Sequence, residues 1–175
     1  MVRRLAPVFL FVAAMLAVAA WLWWRSSTAD ERAVRKVFAR LSELAEKNGP
    51  QDGGVLGAAA GFTELEELFD ERVTVFLPEL SRRPAPHARR TLVRQAMAAR
   101  HRATRTALRF DGIRVELDAD RTSARVVGDA SLTCVMPGWG SVSDETRELR
   151  AELAKDPSDG SWRIGRIELA PILRR

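Results

Sequence analysis

The chain has 175 residues, 46% hydrophobic and 29% charged, which is enough for one ordinary domain with its own core and too little for two large ones. Its single cysteine, Cys134, excludes an intrachain disulfide, a CxxC motif and a thiolate zinc cluster. The formal charge of +5 comes from arginine, since Lys36, Lys47 and Lys155 are the only lysines, and such a balance leaves anionic partners open.

From Leu5 to Trp24 the chain carries no charge. At 1.5 Å per helical residue this stretch spans ~30 Å, the thickness of a bilayer core, so a membrane-anchoring helix is expected over residues 1–28. Arg3 and Arg4 precede it, and Trp21, Trp23 and Trp24 close it, where indole rings favour the headgroup layer. The alternative is a cleaved signal peptide, with Ser27 and Ala29 as the small residues before a cut at Asp30. The length of the apolar stretch and the tryptophans favour a retained signal-anchor. The expected location is therefore a single-pass membrane protein with its domain, 29–175, on the extracytoplasmic side, periplasmic if the source is bacterial. Arginines follow the helix as well, but long downstream domains are translocated largely regardless of charge.

Thr28 and Glu31 form a capping-box pattern, and Val34, Val37, Phe38, Leu41 and Leu44 repeat at helical spacing, predicting a first helix that ends by Asn48. Gln51 to Gly61, rich in Gly and Ala, reads as a loop. A second helix is expected from Thr63, burying Leu65, Leu68 and Phe69, and Val73 to Leu77 reads as a strand. The third helix is expected to start near Pro86, with Leu92, Val93, Ala96, Met97 and Ala103 on its apolar side. Antiparallel strands follow. Leu108 and Phe110 alternate in one register and Ile113, Val115 and Leu117 in the other, which predicts a β-bulge at Asp111 and Gly112. Ala124 to Met136 alternates with period two, Pro137 to Ser143 forms a loop, and Glu145–Lys155 and Ser161–Ile172 are strands joined by the turn at Asp156 to Gly160.

This order predicts an α+β domain in which three helices pack on a curved antiparallel sheet. The passage from Leu68 to Val75 and the closing strand Asp159-Gly160-Ser161-Trp162-Arg163-Ile164 resemble the nuclear transport factor 2-like (SnoaL-like) superfamily over about Ala29 to Ile172. That fold hosts enzymes, ligand binders and non-catalytic assembly modules, so chemistry must be argued from side chains. The resemblance implies a pocket between the long helix and the concave sheet face. Ketosteroid isomerase-like chemistry needs a tyrosine in its oxyanion hole, and the chain has none. An Asp, Arg, Asp constellation like that of epoxide hydrolase-like members has only Asp129, with Arg147 and Arg150 on a neighbouring strand, to draw on.

His101 lies four residues beyond Met97 on the third helix, where an imidazole can act as base or pocket donor. His101, Asp129, Met97 and Trp139 are therefore the expected pocket residues, set against the plainer reading of His101 as a packing residue and Asp129 as a solvated strand residue. No metal or cofactor is expected, because neither His87 nor His101 has a carboxylate at ligand spacing. Between Arg82 and Arg109 stand nine arginines and no acid. Arg89, Arg90, Arg94, Arg100 and Arg102 are the expected anion-facing group, for a lipid headgroup layer or RNA, against a null in which they pair with Glu64, Glu66 and Glu67. Specific nucleic-acid recognition is not expected, since the run contains no Trp or Tyr to stack bases. Taken together, the residues favour a membrane-anchored, non-catalytic assembly or protein-binding module that pairs its sheet with another copy or partner. The alternatives are a small-molecule binder or weak enzyme, and an anionic-surface binder.

Overall fold

The computed structural model describes residues 28–47, 55–79, 83–137 and 142–172. A helix α1 runs over 28–45, followed by α2 (Val55–Glu67), β1 (Phe69–Phe76), β2 (Ala85–Ala88), α3 (Arg89–Arg102), β3 (Arg105–Leu117), β4 (Ser123–Val135), β5 (Val142–Lys155) and β6 (Trp162–Pro171). The six strands form one sheet in the order β2-β1-β6-β5-β4-β3. The result is an α+β domain of three helices on a mainly antiparallel sheet. One pair, β1 with β6, is parallel, because the chain passes from β1 through β2 and α3 before the meander begins.

Among the described residues no helix is long and apolar enough to cross a membrane. The expected anchor, Leu5 to Trp24, lies outside the described residues, as does Trp139.

Alternation fixes which sheet face meets the helices. In β4, Ala124, Val126 and Ala130 are buried, and β5 places Leu149, Ala151 and Leu153 on the same face. Helix α1 contributes Val34, Val37 and Phe38, and β6 contributes Trp162 and Ile164. Each large side chain so buried stabilises the fold by roughly 1.5–3 kcal/mol. Phe38 meets Phe110 of β3 edge-on, with centroids 5.1 Å apart. The predicted bulge is present. The pairing of β3 with β4 shifts between Asp111 and Arg114, Gly112 takes φ 63°, and the inward set changes from Phe110 to Ile113 and Val115. Gly128 lies opposite, where an added Cβ meets Asp111 O and Ile113 Cδ1 at 2.9 Å.

Four boundaries differ from the expectation, one of them the start of β5 at Val142, inside the segment read as a loop, where pairing with Val135 to Thr133 extends the strand. Val55 to Gly61, within the segment read as a loop, form the start of α2, since Leu56 and Ala58 to Ala60 favour helix. Gly61 in it faces α1 and α3: a Cβ there would lie in ordinary contact, 3.9 Å from Met97 Cε and 4.0 Å from Leu44 Cδ2. The strand expected from Val73 starts at Phe69, drawn out by parallel pairing with Ile164, whose N–H donates to Leu68 O (2.9 Å). Pro86 does not open the third helix. It sits opposite Thr74 in β2, the outermost strand, where a residue without an N–H is tolerated, and α3 starts at Arg89.

Candidate functional site

Among the described residues, Lys47 and Thr106 are the polar side chains in the buried set. Both serve helix ends, whose last carbonyls lack partners within the helix. The Lys47 ammonium donates to Arg100 O (3.2 Å), His101 O (3.2 Å) and Ala103 O (2.6 Å), so a cation sits on the negative end of α3. Thr106 Oγ1 donates to Ala45 O (2.6 Å) and Arg100 to Glu46 O (2.8 Å), closing the end of α1. Lys47 and Thr106 also exchange backbone hydrogen bonds of 2.8 and 3.0 Å, which ties both helix ends to β3. Lys47 and Thr106 are thus committed to holding the helices.

A second charged group on the helix-facing side is Arg147. It lies opposite Ala130 and follows the inward alternation of Leu149, Ala151 and Leu153. Its side chain is 15% exposed and pairs with Glu79 (2.7 Å) and Glu145. Hydrogen bonds to Glu145 and then Glu79 raise its pKa further, keeping the guanidinium charged. Its Nη1 is buried without a partner among the described residues. Leu132, on the same face one step along β4, is exposed, as are Met136 and Ile172 at that end of the sheet.

The outer face is rich in charges. Across the register, Glu116, Arg125, Glu152 and Arg166 form one row and Arg114, Val127, Arg150 and Glu168 the next. Arg125, Val127, Glu148, Arg150, Glu152, Arg166 and Glu168 line a shallow hollow of about 440 Å³. A second depression, about 310 Å³, opens between α1 and the β3 bulge beside Arg35, Phe38, Ala39, Ser42, Phe110 and Ile113.

The structure does not gather the expected pocket residues. Asp129 is exposed on the outer face, between Asp111 and Glu148, whereas His101 is exposed at the end of α3 on the helix side. Met97 is half-buried against the core. Arg150 points outward and pairs with Glu148 (2.9 Å), so Arg147 and Arg150 serve opposite faces. Of the five arginines, Arg89 donates to Phe69 O (3.3 Å), Arg90 pairs with Glu66 (3.4 Å) and Arg100 is used at α1. Arg94 and Arg102 are exposed. The alternation of β5, extended two residues back from Leu149, already places Arg147 inward. The role of Lys47 has no local signal, because it depends on where α3 ends in space. Among the described residues no three His, Cys, Asp or Glu side chains form a metal-binding group.

The architecture is that of the nuclear transport factor 2-like fold. A Kribbella flavida protein, Kfla4162, superposes with TM-score 0.67 at 13% identity, over 85% of this chain and 95% of its own. A Novosphingobium aromaticivorans protein assigned provisionally as a scytalone dehydratase gives 0.65 at 17%, over 86% and 98%. A nuclear transport factor 2-like superfamily protein from Salmonella enterica serovar Typhimurium gives 0.62 at 14%, over 85% and 94%. At these identities the likeness is one of fold. No protein-family model matches the chain, and no curated protein sequence does.

Proposed function

We propose that this chain is a membrane-tethered, non-catalytic assembly or protein-binding module. The observation that carries the reading is the filled interior. The space between helices and sheet is occupied by Val34, Phe38, Val93, Val126, Leu149 and Ile164, and the two polar side chains of the buried set among the described residues, Lys47 and Thr106, are spent on helix ends. General acid–base catalysis needs a titratable group within reach of a bound substrate. No carboxylate or imidazole belongs to the buried set among the described residues. The outer face, by contrast, offers balanced charges in rows, a surface suited to a partner of matching pattern. Site-specific photocrosslinking at Val127 in living cells tests this: protein adducts support the reading, and their absence together with catalytic turnover by the purified chain rejects it.

The tether is supported by the uncharged stretch Leu5 to Trp24 and by where α1 begins. Asp30 pairs with Lys155 (2.8 Å), whose ammonium lies over Trp162, so α1 starts at the end of the sheet carrying the Asp118–Ser123 and Asp156–Ser161 turns. It ends beside Thr106, ~27 Å further along its axis. An anchor entering at residue 28 leaves Met136 and Leu132 on the end facing away from the bilayer. The extracytoplasmic placement belongs to the same proposal. Resistance to carbonate extraction checks the tether, and protease sensitivity of the domain in intact spheroplasts checks the side.

Small-molecule binding is the second reading, and Arg147 is the observation in its favour. An inward guanidinium with one nitrogen that has no partner among the described residues, beside exposed Leu132, suits a ligand with an oxygen acceptor and an apolar body. The dehydratase assignment of one fold neighbour points the same way. Anionic-lipid binding through the third helix is a lesser proposal, carried by Arg94 and Arg102, and salt-sensitive co-sedimentation with anionic vesicles is its test.

A further inference from the structure

β3 is an edge strand, and among the described residues only Lys47 pairs with its open side. Thr106 uses its own N–H and C=O for that pairing, so its backbone groups point to the open edge. Direction alternates along a strand, which turns the N–H and C=O groups of Leu108 and Phe110 the same way. Outward from the helices, the same stretch of β3 presents Arg105, Arg109 and Arg114, all exposed and without an ion pair to a described residue, with Ala107 and the exposed Asp111 between them. Toward the helices, the edge adjoins the depression between α1 and the bulge, floored by Phe38, Phe110 and Ile113.

We infer that the β3 edge takes up an extended partner segment in which acidic and apolar residues alternate, adding a seventh strand beside β3. The chemistry follows from the register. In an added strand, the outward side chains stand in turn next to Arg105, Ala107, Arg109 and Asp111 and, beyond the bulge, Arg114 and Glu116, so acidic side chains are favoured at the three arginine positions, where opposite charges across strands attract. The intervening side chains face the Phe38 and Phe110 depression, which accepts apolar groups. Between Arg105 and Arg114 three arginines face outward against the single acid Asp111, which favours an acidic segment over a second copy of β3 as occupant. The inference rests on the binding-module reading for the existence of a partner, but its test does not, because a peptide probe asks only whether the edge accepts a strand.

The probe is a short labelled peptide alternating glutamate with valine, compared with one alternating lysine with valine, each titrated by anisotropy into the full-length chain in detergent. The glutamate peptide is expected to bind in preference and to slow hydrogen exchange at the Leu108 and Phe110 amides. Leu108→Pro, which removes one edge N–H, is expected to abolish binding with the fold intact by circular dichroism. Should that variant unfold, Arg109→Glu with Arg114→Glu on the exposed face is expected to weaken the glutamate peptide by roughly tenfold and favour the lysine one. Failure of both peptides to bind, binding without protection at Leu108 and Phe110, or dimers of the chain joined at β3 would overturn the inference. In the first case the arginines and the bulge guard the edge against pairing.

Discussion

Lys47 holds the end of α3 through three carbonyls while 4% exposed, and no carboxylate shares the site among its bonded partners. Lys47→Met keeps the length of the stem and removes the ammonium. Hydrogen bonds from a charged donor contribute about 1.5–3 kcal/mol, and carbonyls left buried without a donor add their own desolvation penalty. Part of this is offset, because methionine needs no dehydration of a cation. A net loss of about 3 kcal/mol is expected, which for a domain of this size lowers Tm by roughly 10 °C. Urea titration of residues 28–175, followed by circular dichroism, measures the change, with the exposed Lys36→Met as control, expected within about 0.5 kcal/mol of the parent. The expected difference sits at the α3 terminus, so the Ala103 amide, which donates to Ala99 O at 3.1 Å, should exchange faster in Lys47→Met. If Lys47→Met is no more destabilising than the control, the ammonium's dehydration cancels its bonds and the helix-end argument is wrong.

The turn aspartates make stability depend on acid. Hydrogen bonds from Ser158 to Asp156, from Ser161 to Asp159, and from Ser123 to Asp118 lower all three pKa values. Folded values below the unfolded one of about 3.9 mean that the stabilisation is complete above that pH and fades as pH falls through the folded values. Asp156→Asn with Asp159→Asn should therefore lose stability at neutral pH and show a shallower decline toward about pH 2.5 in urea midpoints. At the bulge, Gly128→Ala puts a Cβ against Asp111 O and is expected to destabilise by about 1–3 kcal/mol. Gly112→Ala has open space and only its φ of 63° to strain it, about 1 kcal/mol; equal losses at the two sites would undo the reading of the bulge.

The long strands were legible in the sequence because one face of each is buried and a period of two admits no slip. Even the bulge could be read, since Phe110 and Ile113 cannot both face the core without an extra residue between them. The first half of helix α2, before Thr63, and the short strand β2 were not, because tertiary partners decide them. Gly61 reads as a helix breaker until its packing against α1 and α3 is known, and Pro86 belongs in a strand only at the edge of the sheet. The site was less legible than the fold. His101 and Asp129 stood out as residue types, but their faces depend on where α3 ends and on the strand parity of β4. Arg147 was within reach, two steps from Leu149 on a face already assigned. Lys47 was not, since its carbonyl partners lie 53 to 56 residues away along the chain.

Native mass spectrometry of the full-length protein, released from detergent after purification from its own cells, tests the central claim most directly. The account predicts a complex with a second protein chain, either a copy or another polypeptide, and no retained small molecule. A monomer carrying one small ligand per chain, lost in Arg147→Gln while the fold persists, would contradict it and establish the concave end of the sheet as a binding pocket.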